Sequence, residues 1–80
     1  MYKILHVPSG LFVRAFISSL GNLHVTTATH VGTHLWKTTF DVHEKSRILK
    51  RLSVYRLPIY DGFYIKYRAE DKSEFIVLEI

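Results

Sequence analysis

"FDVHEKSRILKRL", Phe40 to Leu52, is the stretch on which the fold class turns. Val42, Ile48, Leu49 and Leu52 recur at helical spacing and form one apolar stripe, interrupted by Lys45. Asp41 stands where a carboxylate caps the free amides of a first helical turn, and Glu44 follows at capping-box distance. Glu44 lies early in the segment and Lys50 and Arg51 lie late, which complements the helix dipole. The spacing predicts one helix, Val42 to Ser53.

The flanking segments read as strands. "YKILHV", Tyr2 to Val7, is the first, and "VPSG" is a turn in which Pro8 presets the backbone and Gly10 accepts positive φ. "LFVRAFI", Leu11 to Ile17, pairs back on it. Alternation puts Leu11, Val13, Ala15 and Ile17 on one face and Phe12, Arg14 and Phe16 on the other. Phe12 and Phe16 are expected under the helix, with Arg14 carrying its charged head to the rim. "LHVTTATHV", Leu23 to Val31, is β-branched and alternating, a third strand.

Beyond the helix, "VYRLPIY", Val54 to Tyr60, is extended, and Pro58 confines it to an edge. Asp61-Gly62 signals a tight hairpin into "FYIKYR", Phe63 to Arg68. A polar loop then leads to "FIVLEI", Phe75 to Ile80, which is apolar on both faces. A run of that kind is expected in the middle of a sheet, the alternative being an interface with another chain. The fold class is α+β: an antiparallel sheet of about five strands with one helix packed on a face, in the order β-β-β-α-β-β-β. Trp36, Phe40, Val42, Leu49 and Leu52 are expected to complete the core.

Eighty residues make one domain, 1–80, with a thin core. There is no cysteine, so disulfides and thiolate metal sites are excluded. The net charge of +4 favours an anionic partner. No apolar run approaches the roughly 20 residues of a membrane span, and the opening ten residues make a poor secretory signal. A cytoplasmic protein with no membrane partner is the expectation.

The residues that could carry chemistry mostly have structural explanations. His30 and His34 show a zinc-like spacing, with His24 nearby. On a strand, however, residues four apart stand about 13 Å from each other and cannot share an ion. Neither metal nor cofactor is expected. Asp41, His43 and Glu44 cluster as an acid/base group would, but capping accounts for two of the three. Ser9, Ser18, Ser19, Ser46, Ser53 and Ser73 all sit in turn or helix contexts. No nucleophile elbow, phosphate loop or dinucleotide fingerprint occurs, and the chain is expected not to be an enzyme.

The cations are more informative. Arg47, Lys50 and Arg51 share one helix face, and Arg56 follows closely. Lys66 and Arg68 share a strand face with Tyr64, and aromatic residues interleaved with basic ones are how RNA-binding sheets stack bases and hold phosphates. These six basic residues are the candidate binding set. A protein partner is the leading reading and a nucleic acid bound by the helix face the second. Self-association through the carboxyl-terminal strand is also open, since the core is small and that strand so apolar.

"YKILHVPSGLF", "GNLHV" and "GTHLWKT" together resemble a group of small tailed-phage proteins that open Y-K-I-x-H-x-P-x-G-L-F and continue through a G-x-x-W segment into a basic helix. Tyr2, Lys3, Ile4, His6, Pro8, Gly10, Leu11, Phe12, Gly32 and Trp36 match that pattern. The match spans about half the chain, and "LHVTTATHV" is longer than the middle of the pattern. The resemblance implies a small accessory protein acting in an infected bacterium, on host machinery.

Overall fold

The computed structural model describes residues 1–32 and 35–80. The helix forms where the stripe places it, as α1, Val42–Val54. Asp41 accepts from the Glu44 N–H at 2.8 Å, and the Glu44 carboxylate accepts from the Asp41 N–H at 3.0 Å, closing a capping box. The first of these bonds holds the Asp41 carboxyl below its ordinary pKa. Glu44 also takes Lys37 Nζ at 2.6 Å, which pins the segment entering the helix. Ile48 and Leu52 are buried, whereas Val42 is exposed and Leu49 half-buried, so the inward stripe is narrower than the sequence implies.

The strands are β1, Tyr2–His6; β2, Leu11–Phe12; β3, Arg14–Ile17; β4, Leu23–Thr26; β5, Pro58–Asp61; β6, Tyr64–Arg68; and β7, Phe75–Glu79. All pairings are antiparallel, and the class is α+β. The strands do not join into one sheet. They form a three-stranded sheet in the order β2-β1-β7 and two hairpins, β3-β4 and β5-β6.

The cause of the split lies at Val13. Its N–H still donates to the Ile4 carbonyl at 2.8 Å, its side chain is fully buried, and the chain changes sheets there. What reads as one strand, Leu11 to Ile17, is therefore two, β2 beside β1 and β3 beside β4. The expected faces shift with it. Val13 and Ala15 are buried, but Ile17 is 43% exposed. Phe12 and Phe16 do not lie under the helix. Phe12 is exposed with the Lys3 ammonium 5.2 Å from its ring centre, and Phe16 stacks on His24 and meets the edge of Trp36.

The third expected strand stops at Thr26, not Val31. Thr26 Oγ1 accepts from the Ala28 N–H at 3.1 Å, and the buried Thr27 hydroxyl donates to the Pro58 carbonyl at 2.9 Å. Such side-chain bonds offer the backbone an alternative to the ladder. His34, half of the zinc-like pair, lies outside the described residues. The last hairpin is displaced by one residue: Asp61 pairs with Tyr64, so Gly62 and Phe63 form the turn. Gly62 takes φ 62° and Phe63 is not left-handed, which fits the primed turn with glycine first.

The core gathers Ile4, Val13, Phe40, Ile48, Leu52, Leu57 and Ile59 between the inner face of the β1 sheet, the helix and the hairpins. Trp36 stays half-buried at its margin. The carboxyl-terminal strand is not central. β7 pairs with β1 alone among the described residues, and four of its five residues are exposed. Phe75 alone reaches the core, beside His6.

Candidate protein-docking surface

The hairpin β5-β6 presents the most exposed aromatic group of the molecule. Pro58 opens β5, and Ile59 is its buried anchor. All five residues of β6 are exposed. Phe63 at the turn is 77% exposed and Tyr64 80%. His30 stacks on the Phe63 ring with centroids 4.3 Å apart, which steadies the turn from the β4 side. Ile65 adds aliphatic surface next to them.

Three of the six sequence-predicted basic residues sit on or beside this hairpin. Arg56 directs its guanidinium back at the end of β6, donating to the Ala69 carbonyl at 3.4 Å and the Arg68 carbonyl at 3.2 Å. Arg68 reciprocates to the Arg56 carbonyl at 3.2 Å. These bonds go to neutral carbonyls, so both charges stay unneutralised while the side chains are held in place. Lys66 is exposed on the strand between Ile65 and Tyr67. A cleft of about 500 Å³ opens between the hairpin and the β1-β2 turn, lined by Ser9, Thr27, Tyr60, Asp61 and Lys66 among others.

The other three occupy the helix. Arg47 donates to the Gly21 carbonyl at 2.5 Å, and Arg51 to the Leu23 carbonyl at 3.2 Å. Both fasten the β3-β4 loop to the helix. Lys50 is exposed between them. The six residues thus form two groups, with Arg47, Lys50 and Arg51 on the helix and Arg56, Lys66 and Arg68 at the hairpin.

Sequence reasoning missed a buried polar chain behind the cleft. His6 is fully buried. Its Nε2 lies 2.8 Å from Glu74 Oε1, and its Nδ1 lies 2.7 Å from Ser9 Oγ. Tyr67 donates its hydroxyl to the same Glu74 oxygen at 3.1 Å, and the Glu70 N–H donates to the other carboxylate oxygen at 2.7 Å. An ionised carboxylate only accepts, so His6 Nε2 donates to Glu74. The Glu70 amide first, then His6, hold the Glu74 carboxyl below its ordinary pKa. Burial first, then Glu74, push the Tyr67 phenol up.

Serine, imidazole and carboxylate in a row is also the order of a hydrolase triad. Here Ser9 Oγ accepts from the Leu11 N–H at 3.1 Å as well, and the ring has no exposed surface. The chain of bonds ties the β1-β2 turn, β6 and the start of β7 together. The signal for it was the His6–Ser9 spacing across a proline turn; Glu74 and Tyr67 are too distant in sequence to be read.

No protein-family model, curated protein or solved structure matches the chain. No helix of the described residues is long and apolar enough to cross a membrane.

Proposed function

We propose that this chain is a small non-catalytic accessory module of phage type that binds an acidic surface of a host or phage protein, in the host cytoplasm, through the β5-β6 hairpin. The observation that supports it is β6 itself: Phe63, Tyr64 and Ile65 stand out at the turn end of the hairpin, Lys66 follows them along the strand, and Arg56 and Arg68 sit at its far end. Exposed aromatics with arginine are the composition of interface hot spots, and their cost of ordering is low because the hairpin already holds them. The unneutralised cations select an acidic partner and speed encounter. The cleft beside Lys66 gives a protruding side chain of that partner a place to insert.

Nucleic acid suits the helix face less well. Arg47 and Arg51 are engaged with loop carbonyls, and reaching a phosphate would release the loop they hold. Self-association through β7 belongs to the same reading, since a symmetric pair presents the hairpin twice and gains avidity.

The test is capture from nuclease-treated bacterial lysate with the wild-type chain and with the double variant Phe63→Ser, Tyr64→Ser. The expected result is a protein retained by the wild type at low salt, weakened as salt rises, and lost with the double variant. Retention that disappears on nuclease treatment, or that survives the double variant but not Arg47→Ala with Arg51→Ala, would replace the protein reading with the nucleic-acid one.

A further inference from the structure

β7 is an edge of the three-stranded sheet, and its far side is open among the described residues. The ladder to β1 is bracketed by two bonds: Val7 N–H to the Glu74 carbonyl at 2.9 Å and Ile80 N–H to the Met1 carbonyl at 2.9 Å. In an antiparallel ladder each residue directs both its backbone groups to one side, and the side alternates. The even-numbered residues of β7 therefore face β1. The N–H and C=O groups of Phe75, Val77 and Glu79 face outward, where no strand pairs with them among the described residues.

Apart from Glu79, the side chains at this edge are apolar on both faces. Ile76 (44% exposed) and Leu78 lie on the outer face of the sheet, opposite Leu5 and Lys3, with Phe12 one strand further. The helix covers the other face, yet Val77 there is still 38% exposed. Extended, apolar edges with little charge are the ones that pair with further strands.

We infer that two copies of this chain associate through antiparallel pairing of β7 with β7 about a two-fold axis at Val77. The inference deepens the self-association named above and fixes its register. An axis at Val77 sets Val77 against its own copy and Phe75 against Glu79. Each such pair exchanges two backbone bonds, so every outward group of the strand is satisfied at once. Moving the axis to Ile76 or Leu78 leaves the outward groups of Glu79 or Phe75 without a strand partner.

The same register sets Ile76 against Leu78 across the axis, apolar on apolar, next to Phe12 and Leu5 on the outer face. The two Glu79 carboxylates end up on opposite sides of the axis, about 13 Å apart along the strand, beyond strong repulsion in physiological salt. The three-stranded sheet becomes one continuous sheet of twice that width. Ile76 and Leu78 flank Val77 as aliphatic residues of equal size, so the three central positions of the strand meet those of a second copy apolar on apolar.

The experiment is sedimentation equilibrium of the full chain, wild type and Val77→Lys, with Val77→Glu as the complementary variant. Val77 is part-exposed, so both substitutions leave the core in place, and far-UV circular dichroism verifies this. The expected result is a wild-type dimer, and monomers for each variant alone, because like charges oppose each other across the axis. Mixing the two variants restores the dimer. In the wild type, amide exchange at Phe75, Val77 and Glu79 slows as concentration rises, while that at Tyr64 does not. A monomeric wild type at high micromolar concentration, or a Val77→Lys chain that still dimerises, would overturn the inference. Lysate capture by the monomeric Val77→Lys chain keeps the two readings apart. Capture by a wild-type chain that stays monomeric removes this inference alone, and a wild-type dimer that captures nothing removes the hairpin reading alone.

Discussion

His6 joins the β1-β2 turn to Glu74 and Tyr67 near the other end of the chain. Its ring is wholly buried, and both nitrogens are bonded, one to Ser9 on its own turn and one to Glu74 far along the chain. A buried polar group with its partners removed costs more than the bond contributes. His6→Ala takes one partner from Glu74 and one from Ser9 and leaves a cavity where the buried ring stood, and is expected to destabilise the fold by about 3 kcal/mol in urea unfolding. Glu74 gives the network its pH dependence. Its folded pKa is depressed by the Glu70 amide and by His6, so its stabilisation is complete above the ordinary glutamate range. That stabilisation drains away as pH falls from there through the lowered value. Thermal melts of Glu74→Gln are expected to lose this acid-side decline; a decline of equal size in the variant would place its origin elsewhere.

At the scale of elements, short side-chain bonds decide where strands stop. Thr27 is buried, and its hydroxyl serves the Pro58 carbonyl, joining the end of β4 to the start of β5. Thr27→Val keeps the shape and removes the donor, and is expected to cost about 1–2 kcal/mol by chemical denaturation, with the carbonyl left unpaired. Elements governed by neighbours in sequence were legible in it. The helix, its Asp41–Glu44 box, the Pro8–Gly10 turn and the existence of the hairpin at Gly62 all rest on residues within four positions of each other. Elements governed by distant partners were not. Alternation from Leu11 to Ile17 is unbroken, and nothing local marks Val13 as a corner; the corner exists because Ile4 takes its amide while Lys37 takes that of Ala15. The centrality assigned to Phe75–Ile80 rested on hydrophobicity alone, and an edge strand meant for a second chain carries the same composition as a buried one. The basic residues of the helix were visible as a face, but their engagement with Gly21 and Leu23 depends on where the β3-β4 loop lies.

The whole molecule carries its positive charge on a thin core and leaves two apolar surfaces open, the hairpin at Phe63–Ile65 and the edge of β7. A small chain gains from both, since association adds buried surface that eighty residues alone do not supply. Dimerisation then makes stability depend on concentration: the wild-type melting temperature is expected to rise between low and high micromolar chain, and that of Val77→Lys to stay constant. The central claim concerns the hairpin, and site-specific photocrosslinking inside bacteria tests it most directly. A photoreactive phenylalanine analogue is placed at Tyr64 in one preparation, and at Ser19 or Leu20, both exposed on the β3-β4 loop, in two others. Nuclease-resistant protein adducts from position 64 alone are the predicted result; adducts to nucleic acid there, or equal protein adducts from all three positions, would contradict it.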